Sequence, residues 1–143
     1  MQIKKIESTE EIATTFTLLQ QIYENLSTKN YVENILKMMQ EGYKMAASFD
    51  DLKCIAIVGF RYIHKLNYGK VIEIEDFVID NDEAGESLLA WVKVQAKNSA
   101  CKNIVGNLAT KKQKAQRTFM QSGFVIDGFW FHMECLEKLP RSI

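Results

Sequence analysis

The amino-acid sequence predicts one α/β domain over residues 1–143 with a mixed sheet, in the order βαα-βββ-α-β-α-β. Three observations carry this expectation. Apolar residues near the N-terminus recur at helical spacing, a central block is rich in β-branched and aromatic residues, and the last part alternates strand-like and helix-like segments.

Gln2 to Ile6 reads as a short strand. Ser8 stands three residues before Glu11, the spacing of a capping box, in which each residue satisfies a backbone N–H of the other. Ile12, Phe16, Leu19, Tyr23 and Leu26 follow at gaps of four and three, which lines one helical face. Ser27 or Thr28 caps a second helix that turns Val32, Ile35, Leu36 and Met39 inward and ends at Gly42. The period then changes. "YKMAASF", "KCIAIVGFRYI" and "KVIEIEDFVI" predict an antiparallel meander with turns at Asp50-Asp51 and Asn67-Tyr68-Gly69. A helix from Glu83 to about Asn98 buries Ala84, Leu88, Leu89, Val92 and Ala96. "CKNIVGNLA" is strand-like, Thr110 with Gln113 caps another helix ending at Gly123, and "FVIDGFWFHMEC" reads as a last strand. The strands flanking the Glu83 helix are joined by a crossover and are expected to run parallel. A ligand is then expected at their carboxyl ends, beside the helix N-terminus, where "VIDNDEAGESLL" lies.

Composition narrows the function classes. Eighteen basic residues balance eighteen acidic ones, so no global field draws the chain to nucleic acid or an anionic membrane, and no nucleic-acid or membrane partner is expected. No apolar run approaches the roughly 20 residues that span a bilayer. "MQIKKIESTEE" lacks the apolar core of a signal peptide. Cys54, Cys101 and Cys135 are odd in number and scattered, which points to reduced thiols and a cytoplasmic setting. His64 and His132 have no ligand-like spacing with them, so no metal site is expected.

Several strings in this order resemble the GNAT (Gcn5-related) N-acetyltransferase family. "IEIEDFVI" is similar to the family's fourth strand, "LLAWVKVQAKNSACKNI" to the helix and strand that follow, and "AQRTFMQSGFVIDGFWF" to its ending. The likeness covers roughly Gly59 to Cys135. It implies a GNAT-like fold, a mixed and strongly twisted sheet with helices on both faces, and transfer of an acetyl group from acetyl-CoA to a primary amine acceptor. It also implies cofactor binding by backbone groups of Val78 and Ile79 and by the helix start at Ala84, Gly85, Glu86 and Ser87. Glu75, then Glu73, would take the amine's proton. These two share a face of the strand by simple alternation, with Asp76 on the other, and their ordinary reading is its solvent-facing half. Lys111, Lys112, Lys114 and Arg117 would meet the 3′-phosphate of CoA, or form a solvated helix face.

The sequence departs from the family at its pyrophosphate loop. Gly85 remains, but Asp80 replaces an Arg or Gln, Glu83 replaces a glycine, and the connection is about four residues short. Carboxylates suit a helix N-terminus, by about 0.3–1 kcal/mol each, and oppose a diphosphate there. Phe119 stands where many members carry a tyrosine that protonates the departing thiolate. Three readings follow: an acetyltransferase of atypical or weak activity, a non-catalytic GNAT-fold module that binds a partner, and a cleft for another, cationic ligand. The aromatic run Phe129, Trp130, Phe131 makes a homodimer through the C-terminal strand an additional expectation.

Overall fold

The structure, a computed structural model, describes residues 1–108 and 112–135. Five strands form one sheet in the order β1-β2-β3-β4-β5: β1 Gln2–Ile6, β2 Lys44–Asp50, β3 Lys53–Lys65, β4 Gly69–Ile79 and β5 Asn103–Gly106. The first four are antiparallel neighbours, and β4 and β5 run parallel, joined by the crossover helix α4, Asp82–Asn98. Helices α1 (Thr9–Thr14), α2 (Phe16–Gln20) and α3 (Thr28–Gln40) cover one face of the sheet, and α4 and α5 (Gln113–Gln121) cover the other. This is the mixed, two-faced α/β architecture that the sequence predicts. No helix among the described residues is long and apolar enough to cross a membrane.

Each face has its own core. Ile12, Phe16, Leu19, Tyr31 and Ile35 pack against Met45, Ala47, Ile57 and Val78 on the α1–α3 side. Leu88, Leu89, Val92, Ala115 and Phe119 pack against Val58, Phe60, Ile72, Ile74 and Phe77 on the other. Each large apolar side chain so buried contributes about 1.5–3 kcal/mol, more than any single cap, so burial sets the layers and caps set the helix ends. The capping box forms, with Ser8 accepting from the Glu11 N–H at 3.1 Å and Glu11 accepting from the Ser8 N–H at 3.0 Å. Gly42 follows α3 at φ +96, a left-handed conformation that stops the helix.

Three expectations change. The N-terminal helix breaks at Thr15, whose hydroxyl donates back to the Ile12 carbonyl at 2.7 Å and meets the Tyr31 hydroxyl at 2.6 Å. Helical structure ends at Gln20, so Tyr23 and Leu26 continue in a turn instead of on a helical face. Helix α5 starts at Gln113 with Lys112 as N-cap and no side-chain cap; Thr110, the predicted cap, lies outside the described residues. The third change is larger: "FVIDGFWFHMEC", Phe124 to Cys135, forms no strand. Asp127-Gly128 interrupts its apolar run, and the Asp127 carboxylate accepts from the Tyr68 hydroxyl in the β3–β4 turn. Strand-forming composition expresses itself only against a partner, and here Phe129, Trp130 and Phe131 are 89%, 69% and 85% exposed.

The α1–α3 core sets an alkaline limit on stability. Burial pushes the Cys54 thiol from 9.0 up to about 12, and the Tyr31 hydroxyl from 10.0 up to about 12. Burial, and then the charge of Asp76, holds Tyr43 well above 10.0. The folded protein keeps these protons after the unfolded chain has released them, so their contribution is complete below about pH 9 and declines as pH rises toward about 12. Urea unfolding followed across this range should show a flat stability at neutral pH and a fall above about pH 9, with Cys54→Ala delaying its onset.

Candidate functional site

The site begins with one extra residue in β4. Asp76 pairs with Gly59 and Ile74 with Phe60, which leaves Glu75 without a partner on β3. This β-bulge resets the alternation: Ile72 and Ile74 face α4, and the next residue on that side is Phe77. Asp76 therefore joins Val78 on the α1–α3 side, correcting the face expected for it from a period of two.

Tyr43, at the start of β2, reaches across to Asp76, its buried hydroxyl donating to Oδ2 at 2.8 Å. Gly59 makes this possible. A Cβ on Gly59 would lie 1.6 Å from the Tyr43 hydroxyl oxygen, so only glycine admits the phenol end over β3. The raised Tyr43 pKa, from burial first and the Asp76 charge second, keeps it a proton donor to the carboxylate. Arg61 lies 5.7 Å from the Tyr43 ring centroid, bonds Glu75 at 2.5 Å through Nε and donates to the Glu41 carbonyl at 2.8 Å. Glu73 pairs with Lys65 at 3.2 Å. The two carboxylates singled out from the sequence are thus held in ion pairs. Asp76, held by a neutral phenol, is the β4 carboxylate that lines a cavity of about 610 Å³ between the sheet and α2–α3.

The other feature of β4 is its edge. β5 ends at Gly106, opposite Ile74, while β4 continues to Ile79, so the two strands part company over Glu75–Ile79. The Asp80 N–H donates to the Ile55 carbonyl at 2.9 Å, which makes Val78–Ile57 a hydrogen-bonded pair with β3. Alternation then turns the N–H and C=O of Phe77 and Ile79 toward the gap, where β5 does not pair with them. Of the two backbone positions expected to bind cofactor, Ile79 faces this gap and Val78 is spent within the sheet. Phe119 forms the floor: its ring lies 5.1 Å from that of Phe77 and 4.4 Å from that of Phe124, and a Cβ on Gly106 would stand 2.8 Å from it.

At the start of α4 two of the N–H groups are already committed. The Asn81 side chain accepts from the Ala84 N–H at 2.9 Å, and the Gly85 N–H donates to the Asn81 carbonyl at 3.0 Å. Ala84 and Gly85 are buried, and a Cβ on Gly85 would be 3.0 Å from the Ile79 methyls, so this glycine serves close helix–strand packing. Glu86 and Ser87 are exposed one turn on. Asp82 and Glu83 occupy the first turn, and Asp80 pairs with Lys53 at 3.6 Å. The start of α4 is thus self-capped and acidic, while the adjoining β4 edge is left open by β5. Lys114 and Arg117 are exposed on α5 and Lys112 stands at its N-cap, while Lys111 lies outside the described residues.

Sequence reasoning passed over Asp76 and Tyr43. The signal for them was Gly59, a glycine inside an otherwise β-branched strand, which marks a bulge or a close approach.

No protein-family model matches the sequence, and no curated protein matches it by sequence. Solved structures do match. A ribosomal-protein-alanine N-acetyltransferase from Brucella melitensis biovar Abortus 2308 is 12% identical with a TM-score of 0.80, over 94% of this chain and all of that one. An aminoglycoside 6′-N-acetyltransferase, AAC(6′)-Ig from Acinetobacter haemolyticus, is 14% identical with a TM-score of 0.75, over 96% of this chain and all of that one. A third, aminoglycoside N-acetyltransferase AAC(6′)-Iy in complex with CoA, is 13% identical with a TM-score of 0.74, over 94% of this chain and 95% of that one. The chain has the GNAT N-acetyltransferase fold.

The self-capped helix start can be tested by Asn81→Ala. Removing the cap should cost about 0.5–2 kcal/mol and lower Tm by about 2–8 °C. Pyrophosphate should restore part of that loss in the variant by occupying the freed N–H, and leave the parent's melt unchanged.

Proposed function

We propose that this chain, built on the GNAT acetyltransferase fold, transfers an acetyl group from acetyl-CoA to an amine lodged in the cavity beside Asp76. The observation that carries this reading is the arrangement of four consecutive β4 residues. Asp76 presents a carboxylate into a cavity on one face, while Phe77 and Ile79 present backbone groups along the adjoining edge that β5 does not pair. Acceptor and acyl donor would meet where β4 and β5 separate.

Acetyl-CoA, when bound, supplies an acyl group activated as a thioester. The chain's own residues supply position and proton transfer. The Phe77 and Ile79 backbone offers strand-like hydrogen bonds to an extended amide-bearing arm. Asp76 uses Oδ2 to accept from Tyr43, which leaves Oδ1 to take the proton of the amine as it becomes a nucleophile. Glu75 holds Arg61 against Tyr43 and so fixes the phenol that orients Asp76, while Glu73 is the more distant of the two sequence candidates. Phe119 has no proton to give a departing thiolate, and a thiol of pKa about 8.5 leaves without one at reduced rate.

A second reading, a non-catalytic GNAT-fold module, is favoured by the capped and acidic start of α4. The two separate by measurement. Acetyl-CoA at millimolar concentration should raise Tm by mass action, and no rise would exclude the transferase. In a thiol-release assay with primary amines, Asp76→Asn should lower kcat by about 10²–10⁴ while leaving the acetyl-CoA-dependent Tm shift intact.

We also propose that a second copy of the chain covers the apolar run around Phe129, Trp130 and Phe131. β5 pairs on its β4 side and offers a four-residue outer edge in the described structure, which suits strand addition by this segment. Sedimentation should show a dimer that Trp130→Ser with Phe131→Ser converts to monomer; a monomeric parent would overturn the proposal.

A further inference from the structure

The cavity beside Asp76 carries more information about its occupant than the amine alone. Its wall is mostly apolar, built from Leu19, Leu26, Ile35, Met38, Met45 and Ile57 with the uncharged carboxamides of Asn25 and Asn34 beside them, and it is of a size that suits a small molecule, about 300–1,000 Å³. Three phenol rings, Tyr23, Tyr31 and Tyr43, face into it, and its charged lining residues are Asp76 and Glu24. Among the described residues no Lys, Arg or His lines it. Arg61 lies beside Tyr43, already engaged by Glu75 and by the Glu41 carbonyl.

The polar groups are not spread evenly. Tyr31 spends its hydroxyl on Thr15, and Tyr43 spends its hydroxyl on Asp76, so both rings offer the ligand chiefly their apolar and π surfaces. That leaves Asp76 as the fixed anion at the sheet end and Glu24, an exposed residue, at the mouth. Aromatic faces around a carboxylate attract an ammonium, whereas a neutral hydroxyl gains little there. Apart from these two acids the lining carries no charge, so a second or third ammonium held along Leu26, Ile35 and Met38 would lose its water without a counter-charge beside it.

We infer that the ligand of this cavity is a primary amine on an apolar alkyl or aryl body, with its ammonium at Asp76 and its body along Leu26, Ile35 and Met38. This rests on the amine-acceptor reading above and narrows it. Polycations and polyhydroxylated amines fit the same carboxylate but not the wall. The cavity thereby selects by the substituent next to the reacting nitrogen, through the chemistry of α2, α3 and the turn between them.

The test is direct binding to the full chain without acetyl-CoA, by calorimetry or by chemical-shift changes, using 4-phenylbutylamine, the matched 4-phenylbutanol, and spermidine. The amine should bind at least about tenfold more tightly than the alcohol, and more tightly than spermidine at equal ionic strength. Asp76→Asn should remove that amine-over-alcohol preference while leaving the alcohol's affinity unchanged. Asn can still accept from Tyr43, and a circular-dichroism melt checks that the variant folds. Met38→Trp, which fills the cavity without touching Asp76, should abolish binding of both phenyl ligands. Equal affinity for amine and alcohol, tighter binding of spermidine, or no binding of the amine would each overturn the inference. Amine binding without acetyl transfer would instead overturn the transferase and leave this inference standing.

Discussion

The extra residue Glu75 in β4 is the constraint on which the site depends. Without the bulge, Asp76 would take the position that Phe77 fills and would point into the dense core beneath α4. With it, the strand presents Phe77 to that core and Asp76 to the opposite cavity. The same local distortion lies where β4 and β5 part, since β5 stops opposite Ile74. One irregularity therefore accompanies both halves of the proposed chemistry, a carboxylate on a face and open backbone on an edge.

Tyr43 makes that carboxylate's position definite. It is tied at its ring by the space above Gly59, at its hydroxyl by Asp76, and on one side by Arg61. Arg61 is in turn restrained by Glu75 and by the end of α3. The bulge residue thus holds its own neighbour in place, through an arginine and a phenol. Such a chain of contacts is stiff because each member is buried or paired, and a neutral phenol orients Asp76 without cancelling its charge.

The α4 start has a different logic. Asn81, Asp82 and Glu83 serve the helix: a carboxamide on one N–H and two carboxylates beside the positive end of the dipole. These choices stabilise the crossover that joins β4 to β5, and they compete with any anion for the same groups. A fold whose relatives in structure include a CoA complex is here combined with a helix end arranged for its own stability. Under the proposed function, the grip on an acyl donor would come from the strand edge more than from the helix.

Much of the fold is legible in the sequence. The Ser8–Glu11 box, the Asp50-Asp51 and Gly69 turns, and the spacing of Ala84, Leu88, Leu89, Val92 and Ala96 are local patterns, and local hydrogen bonds and helical geometry are enough to fix them. The parallel β4–β5 pairing follows from the crossover between them. What the sequence left open are matters of register and partner. Alternation assigned Asp76 to the wrong side because one unpaired residue reverses every face after it, and only the β3 strand decides where that residue falls. The aromatic run after Gly123 has strand composition yet no ladder, because a strand exists only against a neighbour. The Tyr43–Asp76 contact spans 33 residues and depends on the missing side chain of Gly59, which no single segment records. The sequence by itself determined most of the elements and their layers; the tertiary structure decided which β4 carboxylate meets the cavity, because that is settled by the register of β4 on β3 and by Tyr43, 33 residues away in the chain.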